Sequence, residues 1–328
     1  MEQQLVERVT ETNPGGPGPV VNRAERPATM QADRLAAARR RGAPSPGRGR
    51  GSSVTVVTPR RGWFDWRLGE LWRYRDLITL FVWRDFVSLY KQTVLGPVWH
   101  ILQPLLTTLT FTVVFGGVAG LSTEGLPPFL FYMAGIIGWN YFATCLTNTS
   151  RTLIAHAPML GKVYFHRLVI PLSIVLSNLI GFAIQLAILL VAMATYAATG
   201  TTLTFSGWTV AVPFMVLLLA GYALGGGIIV SGLTTKYRDL AHLVTFGIQL
   251  MMFVTPVIYP LSGVSARYRA LLLLNPLTPL IEGLRKGFLG VGSVTVEQVA
   301  VSGAVMLVTL IAGVALFSRV ERTFMDTV

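Results

Sequence analysis

The chain has 328 residues, of which 52% are hydrophobic and only 13% charged, whereas an ordinary soluble domain carries about 25% charged residues. The mean hydropathy of +0.58 favours a membrane protein over a soluble enzyme. The net charge is +12, but 16 of the 27 lysine and arginine residues precede residue 97. Because this charge flanks an apolar domain, it does not indicate nucleic-acid binding. The single cysteine, Cys145, excludes an internal disulfide and a cysteine-based metal site.

Residues 1–62 are rich in proline, glycine, alanine and arginine and have few large apolar side chains. Such a segment cannot bury a core, so we predict a disordered, basic cytoplasmic tail. The first residues lack the apolar stretch of a signal peptide. A polybasic strip that contacts anionic lipid is the alternative for the arginine-rich residues 34–50. We favour the solvated tail.

Residues 63–96 are predicted to form an amphipathic helix that lies in the membrane interface. Basic residues and four tryptophans are interspersed in this stretch, as is typical of interfacial helices. Large apolar side chains recur at steps of three or four, at positions 68, 71, 74, 78, 82, 86 and 89. Gly96 and Pro97 end this helix and begin a turn into the bilayer.

Residues 97–328 are predicted to be an all-α integral membrane domain with six spans. A helix needs about 20 apolar residues to cross the ~30 Å hydrocarbon layer. Six windows meet this requirement without any Asp, Glu, Lys or Arg, at residues 98–120, 129–150, 168–197, 208–233, 241–259 and 298–318.

The loops between these windows predict the orientation of the chain. Residues 121–128 and 200–207 contain a single charge, Glu124, whereas residues 151–167 and 234–240 are basic. The positive-inside rule therefore places both termini in the cytoplasm. The outer segment, residues 260–297, is too apolar for a free loop and too interrupted for a span. We predict that it forms two re-entrant helices between the fifth and sixth spans.

No residue pattern indicates catalysis on this chain. The phosphate-binding loop G-x-x-x-x-G-K-[ST] does not occur, so ATP hydrolysis would need another subunit. The six windows contain no carboxylate for a proton or cation relay, and the four histidines show no metal-ligand spacing. We expect a transport protein without a cofactor, a catalytic residue or a metal of its own.

The cytoplasmic loop of residues 151–171 is basic, amphipathic and long enough for a short helix. It is either an ordinary connector or a docking element for a separate motor subunit. In the second case the coupling residues would be Pro158, Met159, Leu160, Lys162, Tyr164 and Phe165.

Several stretches, in this order, resemble the permease subunits of polysaccharide ABC exporters, within the type-2 ABC permease family. They are ELWRYRDLITLFVWRDFVSLYKQTVLGPVWHILQPL (70–106), KVYFHRLVIPLS (162–173), KYRDLAHLV (236–244), TPVIYP (255–260) and LNPLTPLIEGLR (274–285). The resemblance covers residues 63–328. It departs from the family at His166, where proline is usual, and at Thr255, where serine is frequent.

This resemblance implies a homodimer in the bacterial inner membrane, joined by two copies of an ABC ATPase subunit that carry the ATP and Mg. It also implies a polyprenyl-diphosphate-linked polysaccharide as cargo, of the O-antigen, teichoic acid or cell-wall galactan type. The Arg- and Ala-rich tail suggests an actinobacterial source, for which the cargo would be a lipid-linked galactan of the mycobacterial type. The alternatives are a secondary transporter or channel, which would need a coupling-ion site, and a membrane glycosyltransferase, which would need a carboxylate pair on one side.

Four basic residues near the cytoplasmic face are predicted to attract the lipid diphosphate, since arginine and lysine suit concentrated negative charge. These residues are Arg84, Lys91, Lys236 and Arg238. The alternative is that they only anchor the orientation, or that Arg84 and Arg238 pair with Asp85 and Asp239.

The glycan is predicted to pass between the two protomers along aromatic rings of the first and fifth spans. The candidates are Phe111, Phe115, Phe246 and Phe253, whose spacing places each pair on one helix face. The same spacing equally suits packing between spans. The outer segment would form the exit, with Tyr259, Asn275, Glu282 and Arg285.

Overall fold

The computed structural model of the chain describes residues 68–91, 98–156, 165–201, 206–237 and 239–325. Within these ranges the side chains of residues 68–70, 89–90, 235–236 and 320–325 are not described. The described residues form helices and turns without any strand, so the prediction of an all-α protein is confirmed.

The helices follow one another along the chain with short connections. They are α1 (Leu68–Arg73), α2 (Arg75–Tyr90), α3 (Val98–Phe111), α4 (Pro128–Ser150), α5 (Thr152–Ala155), α6 (Val169–Ala198), α7 (Val212–Lys236), α8 (Leu240–Val254), α9 (Ala266–Leu273), α10 (Leu277–Leu289) and α11 (Val296–Met325). A π-helix, Thr112–Val118, continues α3. Turns of 3-10 helix, Gly207–Ala211 and Leu261–Gly263, lie before α7 and α9.

Five helical segments in the described ranges are long and apolar enough to cross a membrane. They are Val98–Val118, Pro128–Ser150, Val169–Ala198, Gly207–Thr234 and Val296–Arg319. These correspond to five of the six predicted spans. The remaining one, predicted over residues 241–259, is the 15-residue helix α8. At 1.5 Å per residue α8 is about 22 Å long, which is short of the ~30 Å hydrocarbon layer. Six full spans are therefore not confirmed.

Helix α8 ends early for a local chemical reason. Pro256 has no N–H to donate and disfavours a helical conformation in the residue before it. Thr255 is accordingly extended, with φ −89° and ψ 138°. The apolar residues that follow prolong the hydrophobic stretch beyond the end of the helix, so hydropathy alone overestimated its length.

Helices α4 and α7 form the centre of the fold. In the span of α4, 72% of the residues are buried inside the chain, and in that of α7, 56% are buried. The spans of α3, α6 and α11 are only 11–17% buried, so most of their apolar surface is left for lipid or for another chain. A helix that is hydrophobic all round and covered by neighbours is the expected centre of such a bundle.

The alternating spans place the turns at two ends of the molecule. We call the basic end the one that contains residues 151–156, 165–168 and 237–240. The opposite end contains residues 119–127, 199–201, 206–211 and 255–295. The two short helices predicted for the outer segment are present there as α9 and α10. Their re-entry into the membrane stays a prediction.

Candidate functional site

Helix α2 packs against the basic end through an apolar face. Its Phe81 is buried in a cluster that we call the basal cluster, formed by Phe81, Leu153, Leu168, Val169, Ile170, Ile228 and Phe317. Leu71, Tyr74, Leu77 and Ile78 are partly buried against it. The cluster joins α2 to α6, α7 and α11, so this helix is docked onto the bundle along one side.

The predicted apolar stripe of this helix is only partly correct. Positions 71, 74 and 78 do face the basal cluster, but the next buried residue is Phe81 and not Val82. Trp72, Leu80 and Trp83 remain exposed, with 58–72% of each residue accessible. These side chains suit the membrane interface, where tryptophan is enriched. Sequence spacing therefore predicted the inward face correctly up to Ile78 and placed it one residue late beyond that point.

Arg84 is engaged within the chain. Its guanidinium forms a salt bridge with Asp85, with Nη2 2.7 Å from Oδ1, and its Cζ lies 4.8 Å from the centre of the Phe81 ring. The other oxygen of Asp85 accepts a hydrogen bond from Ser177 Oγ of α6 at 3.3 Å. The salt bridge matches one half of the alternative interpretation, whereas its other half, the pairing of Arg238 with Asp239, stays a prediction because Arg238 lies outside the described residues. This contact with α6 was not predicted, because Asp85 and Ser177 are 92 positions apart.

Of the other three predicted diphosphate residues, only Lys91 has a described side chain, and it is exposed at the end of α2. The side chain of Lys236 and the whole of Arg238 lie outside the described residues. Since Arg84 and Asp85 keep 48% and 29% of their side chains accessible, their salt bridge is a weak, exposed pair worth about 1 kcal/mol or less. Arg84 therefore remains accessible to an anion.

Both ends of the predicted coupling loop are anchored in the basal cluster. Leu153 is 1% exposed, and its N–H donates to Ser231 Oγ of α7 at 3.2 Å. Phe165, at the other end, makes an edge-to-face contact with Phe81, with ring centres 6.1 Å apart. Of the predicted coupling residues, Pro158, Met159, Leu160, Lys162 and Tyr164 lie outside the described residues. Phe165 packs against its own chain.

The predicted glycan-path aromatics fall into two different environments. Phe111 and Phe115 are partly buried, with ring centres 5.2 Å apart, and both rings contact Tyr132 of α4. Phe246 and Phe253 are each 58% exposed on α8. Leu243, Leu250 and Val254 are exposed with them, so α8 presents an apolar, unpartnered face in the single chain.

The predicted exit residues are brought together at the opposite end around residues 253–261. Tyr259 Oη donates to the Phe253 carbonyl at 3.1 Å, and Asn275 Nδ2 donates to Thr255 Oγ1 at 2.9 Å. Arg285 Nη1 lies 2.8 Å from Glu282 Oε1, and both of these side chains are 0% exposed. Burial raises the pKa of the Glu282 carboxyl, and the Arg285 guanidinium opposes that rise. Neither side chain reaches a surface of the chain, and the role of Glu282 and Arg285 in an exit stays a prediction.

The five long apolar helices and their arrangement around α4 and α7 define a multi-pass membrane protein. Residues 76–289 match the family described as ABC-2 type transporter. The chain is 30% identical over 263 residues to the O-antigen export system permease protein RfbA of Myxococcus xanthus, which covers 79% of this chain and 98% of that protein. It is 26% identical over 251 residues to a protein of the same name from Klebsiella pneumoniae, covering 76% of this chain and 94% of that protein.

The family match covers well over half of the chain, and the similarity to the Myxococcus protein extends over nearly all of that relative. The chain therefore belongs to the ABC-2 type transporter family. The resemblance to type-2 ABC permeases is confirmed.

Proposed function

We propose that this chain is the membrane-spanning subunit of an ATP-driven exporter of lipid-linked polysaccharide. The observation that carries the proposal is the similarity to O-antigen export permeases over 94–98% of their length. An exporter permease needs apolar spans, a place to receive force from a motor and a surface along which cargo moves. The anchored loop at the basic end and the exposed face of α8 are candidates for the last two.

The subunit would act as a homodimer in the bacterial inner membrane, with both termini in the cytoplasm. Two copies of an ABC ATPase subunit would bind ATP and Mg and dock on the loop of residues 151–167. The sequence of this chain contains no P-loop motif, which supports a separate motor. The loop starts and ends in the basal cluster, so a push on it would be transmitted to α2, α6, α7 and α11.

The cargo would be a polyprenyl-diphosphate-linked glycan, with a mycobacterial-type galactan as the specific proposal. Its diphosphate would be attracted by Arg84 and Lys91 on the helix α2 and by Lys236 and Arg238. Its neutral sugars would pass the α8 face, where apolar rings offer stacking surfaces without holding ions.

Depletion of this chain in its own cell provides the test. If the proposal is correct, lipid-linked glycan accumulates in the inner membrane, and mass spectrometry of the extracted lipids identifies both the polyprenyl diphosphate and the sugar polymer. A galactan would support the specific cargo, and a different polymer would replace it. An unchanged pool of lipid-linked glycans after depletion would contradict the export function itself.

A further inference from the structure

The segment that follows α8 is irregular but buried. Residues 255–263 include Thr255, Val257, Ile258 and Leu261, each at most 3% exposed. Backbone N–H and C=O groups away from water need hydrogen-bond partners, and an irregular segment cannot supply all of them from its own backbone. The partners of this segment therefore decide how firmly it is held.

Four charged side chains from other parts of the opposite end converge on residues 256–262. Arg285 Nη2 donates to the carbonyls of Pro256 and Val257 at 2.9 and 3.0 Å. Glu282 Oε1 accepts from the N–H of Leu261 at 3.0 Å. Arg269 and Glu124 contact the 3-10 turn Leu261–Gly263 from two other parts of the fold.

Arg269 of α9 forks over the 3-10 turn, since Nε donates to the Leu261 carbonyl at 3.2 Å and Nη2 to the Ser262 carbonyl at 3.0 Å. Glu124 accepts a hydrogen bond from the Ser262 hydroxyl. We call Glu124, Arg269, Glu282 and Arg285 the clamp.

Close packing leaves the buried half of the clamp little freedom to move. Arg285 Cζ lies 3.9 Å from the centre of the Phe131 ring. A Cβ on Gly135 would fall 2.9 Å from the Val257 carbonyl oxygen and 3.0 Å from Arg285 Nη2, so α4 approaches the segment at van der Waals distance. Charge-assisted hydrogen bonds in such a water-poor place are stronger than ordinary ones.

The half-buried part of the clamp, Glu124 and Arg269, adds a connection to the first span. Glu124 has φ 56°, in the left-handed region that a non-glycine residue rarely occupies. Such a conformation persists where surrounding contacts hold it. Its loop joins the π-helix that continues α3 to the start of α4, so the bond to Ser262 connects the segment to the first span.

The clamp is linked directly to α8. Tyr259, in the middle of the clamped segment, donates its hydroxyl to the Phe253 carbonyl at 3.1 Å in the last turn of α8. That carbonyl belongs to a helix end that has no further helical N–H to accept from. Whatever fixes residues 256–262 therefore also fixes the end of α8.

We infer that the clamp positions the exposed face of α8, and that Glu124, Arg269, Glu282 and Arg285 are positioning residues for the surface that bears Phe246 and Phe253. The clamp supplies hydrogen-bond partners to backbone groups beyond Val254, where α8 has ended and helical hydrogen bonds are no longer made. The link to export rests on the proposed function, whereas the link to the position of α8 does not.

The test uses Arg269→Gln, because Arg269 is half-buried and its loss should leave the fold intact. Arg267→Gln is the matched control, since Arg267 is an exposed arginine on the same helix. The reporters are cysteines placed at Thr255, the buried residue at the clamped end of α8, and at Val244, a partly buried residue near its start. The native Cys145 is fully buried on the central helix α4, so a membrane-impermeant thiol reagent reports on the introduced cysteines.

In the full chain in lipid nanodiscs, Arg269→Gln should raise the labelling rate at position 255 by about tenfold, because two charge-assisted hydrogen bonds are lost and the buried site opens more often. Labelling at position 244 should stay at the parent value, and the thermal unfolding temperature should fall by only a few degrees. Glu124→Gln should act in the same direction but more weakly. Arg267→Gln should change neither rate.

Equal rates at position 255 in the parent and in both clamp variants would overturn the inference. So would a rise of the same size at positions 244 and 255, which would indicate general loosening and not positioning. Export of lipid-linked glycan is measured separately in cells. If the labelling shift occurs in a chain whose depletion leaves glycan export unchanged, the proposed function fails and the clamp stands.

Discussion

The two ends of this molecule are held together by opposite kinds of interaction. At the basic end, regular helices meet in the basal cluster, whose core is apolar and aromatic; Arg84 and Asp85 stay at its margin, and Arg167, which precedes Leu168 of the cluster, is buried. At the opposite end, an ion pair with no exposure holds an irregular segment. The difference follows from the backbone. Helices satisfy their own hydrogen bonds and need only packing, whereas residues 256–262 need polar side chains as partners.

The two ends should also differ in how well they tolerate substitutions. An apolar cluster loses contact gradually when a side chain changes, because dispersion and burial are spread over many atoms. A buried ion pair depends on both partners, since a charge left alone in a water-poor site is strongly disfavoured. Substitutions of similar size should therefore have unequal effects at the two ends.

The largest expected effect is that of Arg285→Met. It leaves Glu282 buried without its cation and frees two backbone carbonyls, and we expect a loss of about 3–5 kcal/mol in the free energy of unfolding. Denaturant unfolding in mild detergent measures it. Phe81→Leu in the basal cluster should cost less than about 1.5 kcal/mol, because the apolar volume is nearly kept. Similar losses in both variants would remove the contrast between the ends. Adding Glu282→Gln to Arg285→Met should recover part of the loss.

The next effect concerns coupling at the basic end. Leu160→Asp would place a carboxylate in the apolar contact expected with the ATPase subunit, at a cost of about 3 kcal/mol or a hundredfold weaker docking. The stimulated ATPase rate of the reconstituted complex measures it. Arg269→Gln at the opposite end is the comparison, and it should keep the stimulation. Normal stimulation with Leu160→Asp and Tyr164→Asp would rule out the loop as the docking element.

A smaller effect is expected from the paired substitution of Arg84 and Lys91 by Gln. Each basic residue near an anionic surface contributes about 1 kcal/mol, so the pair should weaken binding of a polyprenyl diphosphate by about thirtyfold. Binding of that lipid to the purified protein measures it. Arg75→Gln serves as control, because Arg75 is an exposed arginine on the same helix. Equal weakening by the control, or loss of membrane insertion in step with binding, would favour simple orientation anchors.

The smallest effect is expected on the α8 face. Replacing Phe246 and Phe253 by Leu keeps an apolar surface but removes two ring faces, each worth about 0.5 kcal/mol in stacking. Export should fall severalfold while stability and ATPase stimulation hold. The matched variant carries Leu at Phe111 and Phe115, whose rings pack on Tyr132. That variant should lose stability instead. Undiminished export after the α8 substitutions would leave Phe246 and Phe253 as packing or lipid-facing residues.

Much of the fold could be predicted from the sequence, because membrane spans are long, uninterrupted apolar windows. Five spans appear where they were predicted, and α3 continues through its internal Pro104. The sixth window failed at Pro256, where the helix does end, because proline fits an apolar segment but removes a helical hydrogen bond. Hydropathy measures transfer to lipid, and it contains no information on backbone hydrogen bonds.

The site was less accessible to sequence reasoning. Glu282 and Arg285 stand three positions apart on α10, so their pairing could be read from the helical period. Their burial could not, because it depends on the carbonyls of Pro256 and Val257 across the fold. The roles of Glu124 and Arg269 were missed for the same reason. The only local signal was the combination of an acidic residue with Gly125 in a short loop, which indicates a turn but not its partner.

The short length of α8 has a consequence for the surrounding bilayer. Lipid that meets the exposed face of α8 finds an apolar band of about 22 Å beside a hydrocarbon layer of ~30 Å, and a mismatch of this kind is relieved by local thinning at a fraction of a kcal/mol per Å. We expect the bilayer to be locally thinner along this one helix. A polar headgroup that crosses there would travel a shorter distance through hydrocarbon than beside the five longer apolar helices.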